Sequence, residues 1–379
     1  MSLRCDQRGR DFKNIEIIIE LGKVGRKDME KEALVLSYLE DELSKFIFEC
    51  RRKYNQTDDY NVICELVEKC MPGLDVKPAL LEKVKDKKKI IVFGAGRRLK
   101  RVVDMLTVSG KAIYKIVDNN SAVWGSMAHG IEIEEPDKVD YSDADCIIIT
   151  PYNPNIAQMI YEQLVNYGVK EERIFKYIDI PLINLDDKIY FDEPFLKWGE
   201  EEVFVDAGVL DLDSSFRFAD KCKKEGVKKV KVLAFEPDLE CYAKCQKILT
   251  DRSDLDIKLY DVGLWSEKKI LYFQGTGVGS GKVVQNETDE SIKVDALDSM
   301  TDEKVTFIKM DIEGSELEAL KGCKEIIQKY KPTLAISIYH KKEDITDIPI
   351  YIKELVPEYK MYIRHYSNCE FETVLYAIP

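Results

Sequence analysis

Strands and helices alternate twice along this chain of 379 residues, and this alternation constrains the fold more than any other feature. The first series occupies residues 88–182, and the second occupies residues 190–379. Parallel strands need a crossover connection between them, which is usually a helix. The sequence therefore predicts two α/β domains, each built around a largely parallel sheet, and the chain is long enough to form both.

The segment before these series, residues 1–87, has a different pattern. Its stretch DMEKEALVLSYLEDELSKFIFECRRKY repeats apolar residues at spacings of three and four and contains no glycine. This spacing is typical of amphipathic helices. We expect a helical segment that serves in packing or in forming a homodimer.

The first series begins with KKIIVFGAG, a predicted strand followed by a glycine turn. Gly94 and Gly96 would let the backbone approach a phosphate, and Asp118 follows the next strand, where an acid can hold a ribose hydroxyl. Leu99 replaces the third glycine of the usual motif. The pattern predicts a small Rossmann-like domain and leaves open whether it binds a nucleotide or a nucleotide-sugar.

In the second series, polar residues follow five consecutive predicted strands. They are Asp206, Gly208, Glu236, Asp261, Asp311, Glu313 and His340. Ligands of open parallel sheets bind at the carboxyl ends of the strands, where the following loops converge. The spacing therefore predicts a ligand site along this edge of the sheet.

Three of these residues suit a nucleoside ligand. Gly208 would let the backbone pass close to it, Glu236 would accept hydrogen bonds from ribose hydroxyls, and Asp261 would meet an adenine amino group. Capping or turn formation is the alternative role for Glu236 and Asp261.

The stretch IKMDIEGSELEALKG carries the next group. Ser315 and Glu318 have the spacing of a capping box at the start of a helix. Asp311 and Glu313 are one residue apart, so on an extended chain their side chains point to opposite faces. We expect one of them to face the ligand.

The sequence contains three histidines. His340 and His365 could face one pocket and act as a general base, because imidazole titrates near neutral pH; Asp311 is the rival base, and His129 is expected to be structural. No spacing of residues indicates a metal site. The ten cysteines contain no CxxC pair, so we expect reduced thiols.

The charge and the distribution of apolar residues limit which partners and which cellular location we expect for the protein. Fifty-seven basic residues against 70 acidic ones give a net charge of −13, which disfavours a nucleic-acid partner. No apolar run approaches the roughly 20 residues that span a bilayer, so no membrane association is expected. The polar start MSLRCDQRGRDF lacks a secretion signal, which predicts a cytoplasmic protein.

Several segments of the second series carry a family resemblance. They are VFVDAGVLDLDSS, LAFEPD, KMDIEGSELEALKG, SIYHKKEDITDIPIYIKEL and the closing RHYSN and ETVLYA. In these segments the chain resembles the FkbM-type S-adenosylmethionine-dependent methyltransferases. The resemblance implies a class I methyltransferase fold, with a doubly wound seven-stranded sheet that ends in a hairpin. It also implies S-adenosylmethionine as cofactor, Asp206, Gly208 and Glu236 in the cofactor site, and O-methyl transfer to a small acceptor such as a sugar.

Leu212 departs from this family, which usually has a second glycine at that position. Together with Val209 and Leu210 it makes the turn apolar. A left-handed backbone at Leu212 would cost roughly 1–2 kcal/mol, and its side chain could occupy the space of the methionine moiety. Two alternatives therefore remain: a domain that kept the fold but became a carbohydrate-binding or assembly module, and a function located in the Rossmann-like domain.

Overall fold

The computed structural model describes residues 28–72, 79–96, 98–151, 153–177, 188–250, 252, 254–274, 281–284 and 290–379. Contacts divide the chain into two compact units. The larger unit comprises residues up to 52 together with residues 185–366 and 371–379, and the smaller comprises residues 53–184 and 367–370. No helix in the described ranges is long and apolar enough to cross a membrane.

The predicted N-terminal segment is mainly helical in its described residues, with short connections between the helices; residues 1–27 and 73–78 lie outside the described residues. Its helices are α1 (residues 28–38), α2 (Glu42–Thr57), α3 (Tyr60–Cys70) and α4 (Ala79–Val84). Apolar side chains spaced along one face of α2 and α3 are fully buried, as the amphipathic pattern predicts. Its role in a homodimer remains a prediction.

The smaller unit contains a six-stranded sheet in the order β3-β4-β2-β1-β5-β6. Its strands are β1 (Ile90–Phe93), β2 (Ile113–Val117), β3 (Met127–Ala128), β4 (Ile131–Glu134), β5 (Cys146–Ile149) and β6 (Ile174–Lys176). All pairings are parallel except that of β3 with β4. Helices α5 (Leu99–Val108) and α6 (Pro154–Asn166) provide crossovers, which confirms an α/β architecture.

The larger unit contains a seven-stranded sheet in the order β16-β17-β15-β14-β7-β8-β9. Its strands are β7 (Glu201–Ala207), β8 (Lys229–Phe235), β9 (Ile257–Tyr260), β14 (Phe307–Met310), β15 (Thr333–Ser337), β16 (Lys360–His365) and β17 (Thr373–Ile378). The first five run parallel, whereas β17 is antiparallel to both of its neighbours. The doubly wound sheet with a C-terminal hairpin is therefore confirmed.

Helices connect the strands of this sheet. They are α7 (Asp213–Lys224), α8 (Leu239–Thr250), α9 (Leu297–Met300), α10 (Glu316–Lys321), α11 (Lys324–Tyr330) and α12 (Asp344–Leu355). Aromatic rings from strands and helices fill the core, where Phe204 stacks on Phe218 with ring centroids 4.2 Å apart. This packing fixes the strand ends on which the polar residues stand.

A small four-stranded sheet is inserted between β9 and β14. Its order is β10-β13-β11-β12, from β10 (Gly263–Leu264), β11 (Lys269–Gln274), β12 (Lys282–Val283) and β13 (Ser291–Asp295). Phe273, Ile292 and Val294 form its buried apolar cluster. The connections at residues 275–280 and 285–289 lie outside the described residues.

Candidate functional site

A cleft lies at the carboxyl ends of the inner strands of the larger unit. Its walls come from the turns after β7, β8 and β14 and from the inserted sheet. The lining residues are Ala207, Gly208, Leu210, Phe235, Glu236, Pro237, Asp238, Gly263, Leu264, Trp265, Phe273, Gly281, Val283, Ile292, Val294, Asp311, Ile312, Glu313 and Ser315. The structure therefore brings together Gly208, Glu236, Asp311 and Glu313 of the predicted set.

Gly208 is required where β7 meets the turn after β14. Its φ is 80°, in the region that favours glycine, and a Cβ there would lie 2.1 Å from the backbone oxygen of Asp311. No other residue type fits without moving one of the two turns. The close approach of these backbones forms the floor of the cleft.

Glu236 ends β8 and is 7% exposed. Its Oε2 accepts the Leu210 N–H at 3.1 Å, and its Oε1 accepts the Asp238 N–H at 2.9 Å. Burial raises the pKa of Glu236, although these two N–H groups oppose the shift. Each carboxylate oxygen has a further lone pair, so Glu236 can also accept hydrogen bonds from a ligand in the cleft.

The backbone of Leu212 is left-handed, with φ 65° and ψ 9°. This is the conformation in which a glycine would be favoured. The leucine side chain is fully buried and belongs to the core cluster that contains Phe218 and Cys245, and Leu212 does not line the cleft. The predicted competition with a methionine moiety is therefore wrong, whereas the conformational cost is present.

Asp206 ends β7 and is completely buried. Its Oδ2 accepts hydrogen bonds from the hydroxyls of Ser214 and Ser215, each at 2.7 Å, and its Oδ1 lies 3.1 Å from Lys309 Nζ. Lys309 also donates to the Gly208 carbonyl at 2.9 Å. These contacts make Asp206 a residue that shapes the glycine turn and does not line the cleft.

Asp311 follows β14 and is held by two tyrosines. Its Oδ2 accepts from Tyr190 at 3.0 Å, and its Oδ1 accepts from Tyr339 at 3.1 Å. Burial alone would raise the pKa of Asp311, but His340, Lys309 and the two hydroxyls lower it below its ordinary value. The group is therefore an ionised carboxylate in the wall of the cleft.

His340 lies between carboxylates. Its Nδ1 is 2.9 Å from Glu316 Oε1, and its Nε2 is 3.4 Å from Asp311 Oδ1 and 3.9 Å from Glu313 Oε2. Burial lowers the pKa of His340, but the three acids outweigh burial and raise it to about 9. An imidazolium cannot accept a proton, so Asp311 is the better-placed base.

The same cluster offers spacing that a cation could use. One atom from each of Asp311, Glu316 and His340 lies within 4.8 Å of the others. Glu316 lies near Nδ1 of the ring and Asp311 lies near Nε2, so the imidazole of His340 is placed between two carboxylates and can form an ion pair with each. The expectation of no metal at this site remains a prediction.

Four predicted site residues do not line the cleft: Asp206 and His340, described above, and Asp261 and His365. Asp261 is partly exposed, and its Oδ2 is 2.9 Å from Lys293 Nζ. His365 is 3% exposed, and its Nδ1 lies 2.9 Å from Thr373 Oγ1 on the paired strand β17. Neither residue lines the cleft.

The predicted capping box is wrong. Ser315 makes no side-chain cap hydrogen bond, and Glu318 is paired with Lys321. Glu316 instead reaches back to the Ile312 N–H, at 2.9 Å. Because Glu316 follows the expected cap by one residue, its role was not recognised from spacing.

Part of the glycine turn of the smaller unit is closed by its own side chains. Asp118 Oδ2 accepts the Ala95 N–H at 2.6 Å. A Cβ at Gly94 would lie 2.3 Å from Thr150 Oγ1, so close packing within the sheet accounts for that glycine, whereas a Cβ at Gly96 would meet nothing within 4 Å. A nucleotide at this turn remains a prediction.

Sequence reasoning missed Tyr190, Lys309, Glu316 and Tyr339. Tyr190 contacts Asp311 across 121 residues of sequence, and Tyr339 contacts it across 28. A lysine inside the apolar strand FIKM was the one available signal, since a buried lysine requires a partner.

Two family models match the chain. Residues 204–368 match the methyltransferase FkbM domain, and residues 86–175 match the C2185-like N-terminal domain. No curated protein matches it.

Several solved structures are similar at low identity. A methyltransferase FkbM from Methylobacillus flagellatus KT is 18% identical, with a TM-score of 0.47, over 86% of this chain and 100% of its own. An rRNA methylase from Streptococcus thermophilus is 17% identical, with a TM-score of 0.32, over 48% of this chain and 87% of its own. A SAM-dependent methyltransferase from Aquifex aeolicus is 17% identical, with a TM-score of 0.27, over 47% of this chain and 84% of its own.

The family match covers the strand ends that build the cleft. It includes Gly208, Glu236, Asp311 and His340, and it begins in β7, an inner strand of the seven-stranded sheet. The similarity to the methyltransferase FkbM domain is therefore a property of residues 204–368.

Proposed function

We propose that the protein is an S-adenosylmethionine-dependent O-methyltransferase that acts on a hydroxyl group of a carbohydrate or a related small metabolite. The observation that carries this proposal is the single cleft lined by Gly208, Glu236 and Asp311. It offers a nucleoside-binding acid and a base in the same space. Methyl transfer to a hydroxyl requires both.

The residues of the cleft fit the cofactor. Gly208 lets the turn after β7 pass against the Asp311 backbone at the edge of the cleft, and the buried carboxylate of Glu236 is oriented by two backbone N–H groups while keeping lone pairs for ribose hydroxyls. Trp265 and Phe273 supply apolar surface on the opposite wall. When bound, the cofactor supplies an electrophilic methyl group.

Asp311 would act on the acceptor. Its ionised carboxylate would accept a hydrogen bond from the hydroxyl group of the molecule that is methylated. This hydrogen bond turns a lone pair of the hydroxyl oxygen away from Asp311 and toward the cleft. The bound cofactor would give up its methyl group by breaking the carbon–sulfur bond and would leave as S-adenosylhomocysteine, while Asp311 would take the hydroxyl proton and release it to water. A base placed in this way contributes about 10²–10⁴-fold to a rate.

The charge of the cleft supports a neutral acceptor. Asp311 and Glu313 both line it, and like charges across an interface are unfavourable, so an anionic acceptor would be repelled. Sugars present neutral hydroxyls that donate well to carboxylates. A small molecule of this kind, and no nucleic acid, is the partner we propose.

Isothermal titration with S-adenosylhomocysteine tests the cofactor site. Glu236→Gln keeps the size of the side chain and removes its charge. Since hydrogen bonds to a charged group are each worth about 1.5–3 kcal/mol, we expect the affinity to fall by at least about tenfold. Asp261→Asn is the matched control, because Asp261 ends the neighbouring strand but lies outside the cleft, and its affinity should equal that of the wild type.

Two results would contradict the proposal. One is a wild-type protein that shows no binding at millimolar ligand. The other is an equal loss of affinity in Glu236→Gln and Asp261→Asn. A residue outside the cleft would then matter as much as Glu236, so the loss would not reflect contact between Glu236 and the ligand.

Once binding of the cofactor is established, a screen of sugars for methylated products by mass spectrometry identifies the methyl acceptor.

A further inference from the structure

The carboxylate of Glu316 is fully buried at the start of α10. Its Oε1 accepts the Ile312 N–H at 2.9 Å and lies 2.9 Å from His340 Nδ1. Its Oε2 is also buried and has no hydrogen-bond partner among the described residues. A carboxylate removed from water in this way is costly unless a cation compensates it.

His340 is the cation that contacts this carboxylate. The carboxylate oxygen Glu316 Oε1 lies at ion-pair distance from Nδ1, 2.9 Å, and this contact favours the protonated ring. The ring is thereby oriented with Nε2 toward Asp311 and Glu313, at 3.4 and 3.9 Å. These acids favour hydrogen on Nε2 as well.

We propose that Glu316 is a positioning residue that fixes the His340 ring as an imidazolium with its Nε2–H directed at Asp311. This inference rests on the proposed function, because it assigns the proton transfer to Asp311 and gives His340 the task of holding that carboxylate in place. Glu316 acts through His340 and does not line the cleft.

The charged groups around the ring are mostly acidic. They are Glu316 on α10, Asp311 and Glu313 after β14, Asp344 on α12, and the cations Lys309 and Lys341. Burial and Glu316 raise the pKa of Asp344 to about 7, so this acid is partly protonated near neutrality. The acids outnumber the lysines, which favours the positive form of His340 and agrees with its pKa of about 9.

Histidine NMR of the ligand-free protein tests the inference directly. The chain has three histidines, so the His340 signals can be assigned from the spectrum of His340→Gln. We expect His340 in the wild type to titrate near pH 9 with both nitrogens protonated at pH 7. In Glu316→Gln, whose amide oxygen can still accept the Ile312 N–H, the titration should move down toward the ordinary value near 6.5.

Glu318→Gln is the matched control. Glu318 lies on the same helix and is paired with Lys321, so its loss should leave the His340 titration unchanged. A wild-type His340 that titrates near 6.5 would overturn the inference even if Glu316→Gln fails to fold. So would an equal shift in both variants.

A bound metal is the other way to compensate these acids, and the same spectra detect it. Saturable shifts of the His340 signals on addition of MgCl₂ or ZnCl₂, with loss of its proton, would overturn the inference. Titration with S-adenosylhomocysteine on the same samples separates the two proposals. A protein that binds this ligand but has a neutral His340 keeps the proposed function and loses the role of Glu316.

Discussion

At the scale of single residues, the turn after β7 shows how a departure from a family pattern can be tolerated. Leu212 adopts the left-handed conformation that a glycine would favour, but its side chain is fully buried in the core. Burial of a leucine contributes about 1.5–3 kcal/mol, which offsets the conformational cost of roughly 1–2 kcal/mol. A leucine at position 212 therefore adds backbone strain, gains a comparable stabilisation from burial in the core, and leaves the cleft open.

Two substitutions at this position separate strain from packing. Leu212→Ala loses the side chain and keeps the strain, so chemical denaturation should show a loss of about 2–5 kcal/mol. Leu212→Gly loses the side chain but relieves the strain, so we expect it to be more stable than Leu212→Ala by about 1–2 kcal/mol. Affinity for S-adenosylhomocysteine should change by less than about tenfold in both. A large gain in affinity for Leu212→Gly would instead support a turn that has lost its cofactor.

At the scale of elements, the cleft depends on the approach of the turns after β7 and β14. These strands are paired in register from Phe204 with Phe307 to Ala207 with Met310. The register brings Gly208 against the backbone of Asp311, so the proposed cofactor turn and the proposed base are fixed to each other by sheet hydrogen bonds. A change in either turn should therefore affect both functions.

Alanine at Gly208 tests this contact. Gly226, after α7, has φ 79° against 80° at Gly208, but a Cβ there would meet nothing within 4 Å. Gly226→Ala should cost only the strain, roughly 1–2 kcal/mol by denaturation. Gly208→Ala adds the clash, so we expect a larger loss of stability and of S-adenosylhomocysteine binding. Equal effects of the two substitutions would mean that the close approach does not matter.

At the scale of the whole molecule, two units each contain a largely parallel sheet with a glycine turn after an inner strand. The glycine turn of the larger unit lines a cleft. In the smaller unit, the Ala95 N–H of the glycine turn donates its hydrogen bond to the Asp118 carboxylate. We therefore expect ligand binding in the larger unit.

Hydrogen exchange with mass spectrometry locates the ligand on the chain. S-Adenosylhomocysteine should protect peptides that contain the ends of β7, β8 and β14 and should leave the peptide with Gly94 unchanged. Protection follows because binding stabilises the native contacts of the site by about 2.7 kcal/mol at a ligand concentration of 100 times the dissociation constant. A nucleotide-sugar that protects the Gly94 peptide, with no effect of S-adenosylhomocysteine, would move the function to the smaller unit.

The strand ends could be predicted because a buried strand and the polar residue after it are adjacent in sequence. Glu236 and Asp311 were placed correctly in the cleft for this reason. Asp261 occupies an equivalent position, but it turns to Lys293, a residue 32 positions away on the inserted sheet. Sequence position fixed where its Cα lies but not which partner its side chain meets.

The sequence by itself determined the two α/β sheets, the hairpin at the end and the edge of the sheet that carries the site, because periodicity and strand ends are local properties. Only the tertiary structure decided the protonation of His340 and the ionised state of Asp311. These depend on distances between side chains that are far apart in the chain, from Tyr190 to Glu316 and His340. Burial strengthens the interactions among them, and burial is a property of the folded molecule alone.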